Sequence, residues 1–179
     1  MKPMTLDDIR AFLDSGDLPF TDGEVVKNGV LEKNDGESVE YQIQRGWDLM
    51  KAHCCDKQWG IFNLNLFAFI RDREYDEAER HKILQSIQVD DSHWRWLNKS
   101  LAHKSSDYDW FFLMAENKPQ GACLIYHPKA SVLSSGQIFY IEYVAAAPWN
   151  RANPMSPRTF KAYRYRESWV ARACAFPLA

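Results

Sequence analysis

The sequence predicts an α+β fold, with N-terminal helices followed by an antiparallel β-meander. Two patterns carry this expectation. Helix-like apolar spacing is concentrated before about residue 105, and three strand-like apolar runs joined by short turns follow it. A composition of 46% hydrophobic and 14% aromatic residues supplies a real core and argues against disorder. A length of 179 residues fits one domain with a helical extension. It divides into a mainly helical part, 1–104, a three-strand core, 105–151, and an atypical tail, 152–179.

In chain order, Thr5 caps a short helix, Asp8 completes a capping box and Gly16 ends the helix. Its apolar face is Leu6, Ile9, Phe12 and Leu13. The Gly-, Asn- and Asp-rich stretch 20–37 reads as turns around a short strand or hairpin at Glu24–Leu31. Ser38 is expected to cap a longer helix reaching about Lys57, because Val39, Ile43, Trp47 and Met50 recur at helical spacing. Residues 61–70 fit either a strand or a helix. Residues 74–87 read as a helix, and Asp91 or Ser92 is expected to cap another that carries Trp94, Leu97 and Leu101. Strands follow at 110–115, 121–127 and 137–146, separated by turns at Pro119 and Gly121 and at Ser134, Ser135 and Gly136.

A formal charge of −2 gives no electrostatic case for nucleic acid. The sequence has no apolar run long enough to span a bilayer and no apolar segment at its start resembling a signal peptide, so the expected location is cytoplasmic. The cysteines at 54, 55, 123 and 174 match no zinc spacing and read as structural thiols. No metal is expected.

The most informative segment is Ile138-Phe-Tyr-Ile-Glu-Tyr-Val-Ala-Ala-Ala-Pro-Trp-Asn-Arg151. A carboxylate in the middle of an apolar strand costs free energy unless it is paired, hydrated or used. Strict alternation places Ile138, Tyr140, Glu142 and Val144 on one face, and Phe139, Ile141, Tyr143 and Ala145 on the other. Read without further context, Glu142 is either a base or a half-solvated carboxylate paired with a Lys or Arg. The small residues after it allow close backbone approach or ordinary tight packing.

This segment resembles the fourth strand of the GNAT family of acyl-CoA N-acyltransferases, and the two runs before it resemble the preceding strands more loosely. The resemblance implies the N-terminal half of that fold and transfer of an acetyl group from acetyl-CoA, as co-substrate, to an unidentified amine. It implies Glu142 as the base that accepts the amine proton, with Val144, Ala145 and Ala146 offering backbone groups to the pantetheine arm. Pro148 and Arg151 match the family's Pro-x-x-Arg, which implies a contact between Arg151 and a CoA phosphate.

The sequence departs from the family at the glycine-rich loop that should follow. No glycine occurs after Gly136, Pro154 and Pro157 oppose an immediate helix, and no residue matches the family's acid. Shifting the reading frame by one base through Ala162-Tyr-Arg-Tyr permits an Ile-Gly-Thr triplet suited to that loop. The corresponding expectation is that residues 162–179 are out of frame and that the product is a truncated relative. The alternative function is a non-catalytic binding or interaction module, suggested by the missing loop and by Trp94, Trp96 and Trp149.

Overall fold

In the computed structural model the described residues are 5–15, 20–130 and 135–161. Helix α1 (Leu6–Asp14) has the expected capping box, with the Thr5 hydroxyl accepting from the Asp8 N–H and the Asp8 carboxylate accepting from the Thr5 N–H. Its predicted stop at Gly16 lies outside the described residues, as do the Ser134 turn position and residues 162–179.

The fold is α+β, and its sheet is larger than the sequence suggests. Strands β1 (Glu24–Glu32), β2 (Ser38–Arg45), β3 (Tyr108–Ala115), β4 (Lys118–Ala130) and β5 (Gln137–Ala146) form one antiparallel sheet in the order β1-β2-β3-β4-β5. The 1–104 segment is therefore not a helical unit apart from the strands, because its β1–β2 hairpin joins the same sheet through β2 and β3.

The expected helix from Ser38 is corrected to strand β2, with helix starting only at Leu49. Val39 and Ile43 fit a helical spacing, but Tyr41 lies between them. Tyr41 and Ile43 are buried while Glu40 and Gln42 are exposed. That period of two belongs to a strand with one face against a core.

Leu49 opens a helical run made of α2 (Leu49–Cys54), a π-helical turn (Cys55–Trp59) and α3 (Gly60–Asp72). The ambiguous 61–70 segment is thus helix. Helix α4 (Glu77–Ser86) is capped by Asp76, and α5 (Trp96–Ala102) starts later than Asp91 or Ser92 would place it.

Each face of the sheet carries a core. One holds Leu31, Tyr41, Ile43, Phe111, Leu113 and Phe160. The other packs Phe112, Met114, Leu124 and Ala145 against Ala52, Cys55, Trp59 and Trp96 of the helical layer. Burial of each large aliphatic or aromatic side chain stabilises the fold by about 1.5–3 kcal/mol relative to exposure. Leu66, Ile70 and Ile87 form a smaller cluster that seats α4 on α3.

Candidate functional site

Glu142 occupies an irregular position in β5. Tyr143 pairs with Leu124 and Ile141 pairs with Ile125, so two consecutive β4 residues face partners two apart, and Glu142 is the extra residue of a β-bulge. The bulge breaks the predicted alternation. Ile141 and Val144 pack toward one core, whereas Tyr143 and Ala145 pack toward the other. Glu142 therefore does not share an uninterrupted face with Tyr140 and Val144, which corrects the simple strand reading. It is half-buried and closes no hydrogen bond or ion pair with the described residues.

The surroundings of Glu142 come from elements far away in sequence. Lys99 on α5 places its Nζ 3.1 Å from the Tyr143 ring centroid and 5.1 Å from that of Trp94. Both rings present π faces to the ammonium, which their quadrupoles attract. Trp94 meets Tyr143 edge-on at 5.1 Å between centroids. His103, just after α5, lies 4.7 Å from the Tyr108 ring and 6.2 Å from the Tyr143 ring, and Tyr108 lies 5.1 Å from Tyr126.

The electrostatics tie these groups to Glu142. Burial holds the Lys99 amine below the ordinary lysine value, outweighing the attraction of the Asp56 and Glu142 carboxylates. Burial also pushes the Tyr108 phenol up, and the Glu142 charge pushes it the same way. The site is thus a carboxylate, an amine and a phenol within electrostatic reach on the helix-covered side of β5. Sequence reasoning missed Lys99, His103 and Tyr108. The only hint it offered was Lys99 following Trp94 and Trp96 in a short helical run.

The main chain of β5 is the second part of the site. β5 is an edge strand, paired only with β4 among the described residues. The Ala147 N–H donates to the Gln120 carbonyl at 2.8 Å, which fixes the phase of the ladder. In an antiparallel pair the bonded and non-bonded positions alternate. Ala145, opposite Ala122, therefore directs its N–H and C=O to β4, whereas Val144 and Ala146 direct theirs to the open edge. Of the three residues expected to offer backbone groups, two face outward and Ala145 faces inward.

Arg151 anchors the end of this edge. Its guanidinium meets both oxygens of Asp91 at 2.5 Å, and it also donates to the carbonyls of Gln88 and Ala146. The side chain is mostly buried and spends these donors on protein groups rather than on solvent. Trp149 donates its indole N–H to Gln120 Oε1 at 2.8 Å, and Asn150 Nδ2 donates to the same oxygen at 3.0 Å. Trp96 is fully buried and Trp94 and Trp149 are half-buried, so these three tryptophans are packing groups as well as potential site walls.

A separate open groove of about 590 Å³ lies at the other edge of the sheet, lined by Phe20, Thr21, Asn28, Glu40, Gln42 and Met114 among others. No β5 residue lines it. Among the described residues no group of three His, Cys, Asp or Glu side chains is placed to hold a metal ion, and no helix is long and apolar enough to cross a membrane.

No family model, curated protein or solved structure matches the chain.

Proposed function

We propose that the protein is an acetyl-CoA-dependent N-acetyltransferase, with Glu142 as the base and the open edge of β5 as the seat of the pantetheine arm. The observation that carries this reading is the bulged carboxylate on an edge strand whose Val144 and Ala146 main-chain groups face outward. Pantetheine contains two amides, and outward N–H and C=O groups on a strand can bond such amides as a neighbouring strand would. The Val144 groups and the Ala146 N–H are the relevant ones, since Arg151 already holds the Ala146 carbonyl. In this reading Arg151 keeps the strand end in place, and contact with a phosphate requires it to leave Asp91.

The chemistry asked of Glu142 is removal of a proton from an ammonium, because only the neutral amine attacks a thioester. A half-buried carboxylate without a hydrogen-bonded partner among the described residues is available for that transfer, directly or through water. Tyr108, whose phenol stays protonated to higher pH than usual, is one group of this cluster able to return a proton to the departing thiolate.

Acetyl-CoA at saturating concentration should raise the Tm, by about 2.7 kcal/mol of added stability at a hundredfold excess over Kd. Glu142→Gln should keep that shift while lowering acetyl transfer roughly a hundredfold or more. An unchanged Tm with acetyl-CoA removes the cofactor assignment, and an unchanged rate in the variant removes Glu142 as base.

A second reading, a non-catalytic interaction module, draws on Ile61, Leu64 and Phe67. These three apolar side chains of α3 are exposed at helical spacing, with Leu64 at 70%. Absence of any acetyl-CoA effect together with self-association abolished by Leu64→Ser would favour it.

A further inference from the structure

Lys99 is unusual among the described lysines near β5 because its amine is held in place over a ring. Nζ lies 3.1 Å from the Tyr143 centroid, and Trp94 closes a second side at 5.1 Å. Tyr143 directly precedes Val144, and consecutive Cα atoms stand about 3.8 Å apart. The amine is thereby held over the ring of the residue that directly precedes Val144, whose main chain faces the open edge. Glu142, the bulged residue on the other side of Tyr143, acts on the same amine electrostatically.

Resting on the acetyl-CoA reading above, we propose that Lys99 is itself an acyl acceptor, modified by an acyl-CoA thioester bound at the β5 edge with Glu142 as base. The ammonium gives one proton to Glu142, and the nitrogen lone pair forms a bond to the thioester carbonyl carbon. The carbon–sulfur bond then breaks, and the leaving thiolate takes the proton that the nitrogen sheds as it becomes an amide. Glu142 passes its proton to solvent, so the products are the acetylated lysine, the free thiol of CoA and one proton. No oxidant or reductant is involved.

The modification has a structural consequence. An amide carries no charge, so Tyr143 and Trp94 lose the cation between them, and Glu142 loses its positive neighbour. Burial favours the neutral amine needed for attack and works in the same direction as the proposal. The fixed position contributes separately, since a held nucleophile reacts faster than a freely moving one at the same distance.

The test uses the full chain incubated with acetyl-CoA, digested and read by peptide mass spectrometry over time. Lys82, Lys104 and Lys118 are exposed and serve as internal references for uncatalysed acylation. Lys99 should be acetylated at least about tenfold faster than these references, and Glu142→Gln should slow Lys99 alone, roughly a hundredfold. Prior unfolding in urea should erase the preference. A Tm rise with acetyl-CoA accompanied by an unmodified Lys99 overturns the acceptor role and leaves the cofactor reading standing. Acetylation of Lys99 at the reference rate, or unchanged by Glu142→Gln, also overturns it. Absence of both the Tm shift and the modification overturns the two together.

Discussion

Asp56 caps a helix that begins forty residues after it. Its carboxylate accepts the backbone N–H of Trp96 at 2.6 Å and that of Leu97 at 3.1 Å. These are orphan donors at the start of α5, whose own cap residue, Arg95, makes no side-chain capping bond. Asp56 sits in the π-helical turn, where Cys55 and Trp59 face the core. The turn that buries those two side chains therefore also fixes the helix that carries Lys99.

Asp56→Ala should destabilise the fold by about 1–2 kcal/mol, the usual cost of losing an N-cap. A urea midpoint measurement checks this. Weaker stacking of Lys99 on Tyr143 should accompany it, read as a change in Trp fluorescence, because α5 loses its anchor. An unchanged midpoint would mean that the indole bonds from Trp47 to the Ser100 carbonyl and from Trp110 to the His103 carbonyl hold α5 alone.

Lys99 predicts a pH dependence of stability. Its folded-state pKa is lowered from the ordinary 10.5. Between the lowered value and 10.5 the unfolded chain binds more protons at this site than the folded one, so stability rises with pH across that window. This contribution is complete above the unfolded value and is lost as pH falls through the folded one. Lys99→Met removes the titrating group, so the wild type should gain stability relative to the variant as pH increases from neutral into the alkaline range. Denaturant titrations at a series of pH values measure the difference, and a flat difference would contradict the assignment.

Arg151→Ala should cost about 2–4 kcal/mol. The change strands a mostly buried Asp91 carboxylate and releases the Ala146 carbonyl. Adding Asp91→Asn should recover part of the loss, a coupling that a double-mutant cycle quantifies. Were the arginine chiefly a phosphate ligand, the single variant would weaken CoA binding while leaving the Tm of the free protein unchanged.

Gly29→Ala tests the hairpin. An added Cβ would meet the Tyr41 ring at 2.8 Å, and Tyr41 is buried in the sheet core. Overpacking of this kind costs about 1–3 kcal/mol. Thermal melts of the variant should fall accordingly, whereas Gly60→Ala, where an added Cβ meets nothing within 4 Å, should leave Tm unchanged or raise it.

Several features are legible in the sequence itself. The Thr5 capping box depends on residues three apart, and the strands at 108–146 show apolar runs bounded by turn residues. The unusual status of Glu142 follows from a charge placed within such a run. Strand β2 was misread because Val39, Ile43, Trp47 and Met50 mimic one helical face. Only pairing with β1 and β3, which buries Tyr41 and Ile43 on one side, reveals the period of two.

By itself, the sequence determined the α+β class, the strand carrying Glu142 and the local signals that start and stop elements, because these depend on residues within a few positions of one another. Tertiary structure alone decided that the first hairpin extends the sheet, that Glu142 sits on a bulge, that Arg151 holds Asp91, and that Lys99 lies over Tyr143. Each of these joins groups on different elements. Their free energy comes from ring faces, carboxylates and main-chain edges that meet only after the sheet and helical layer have packed, and no local pattern in the chain encodes which distant partner arrives.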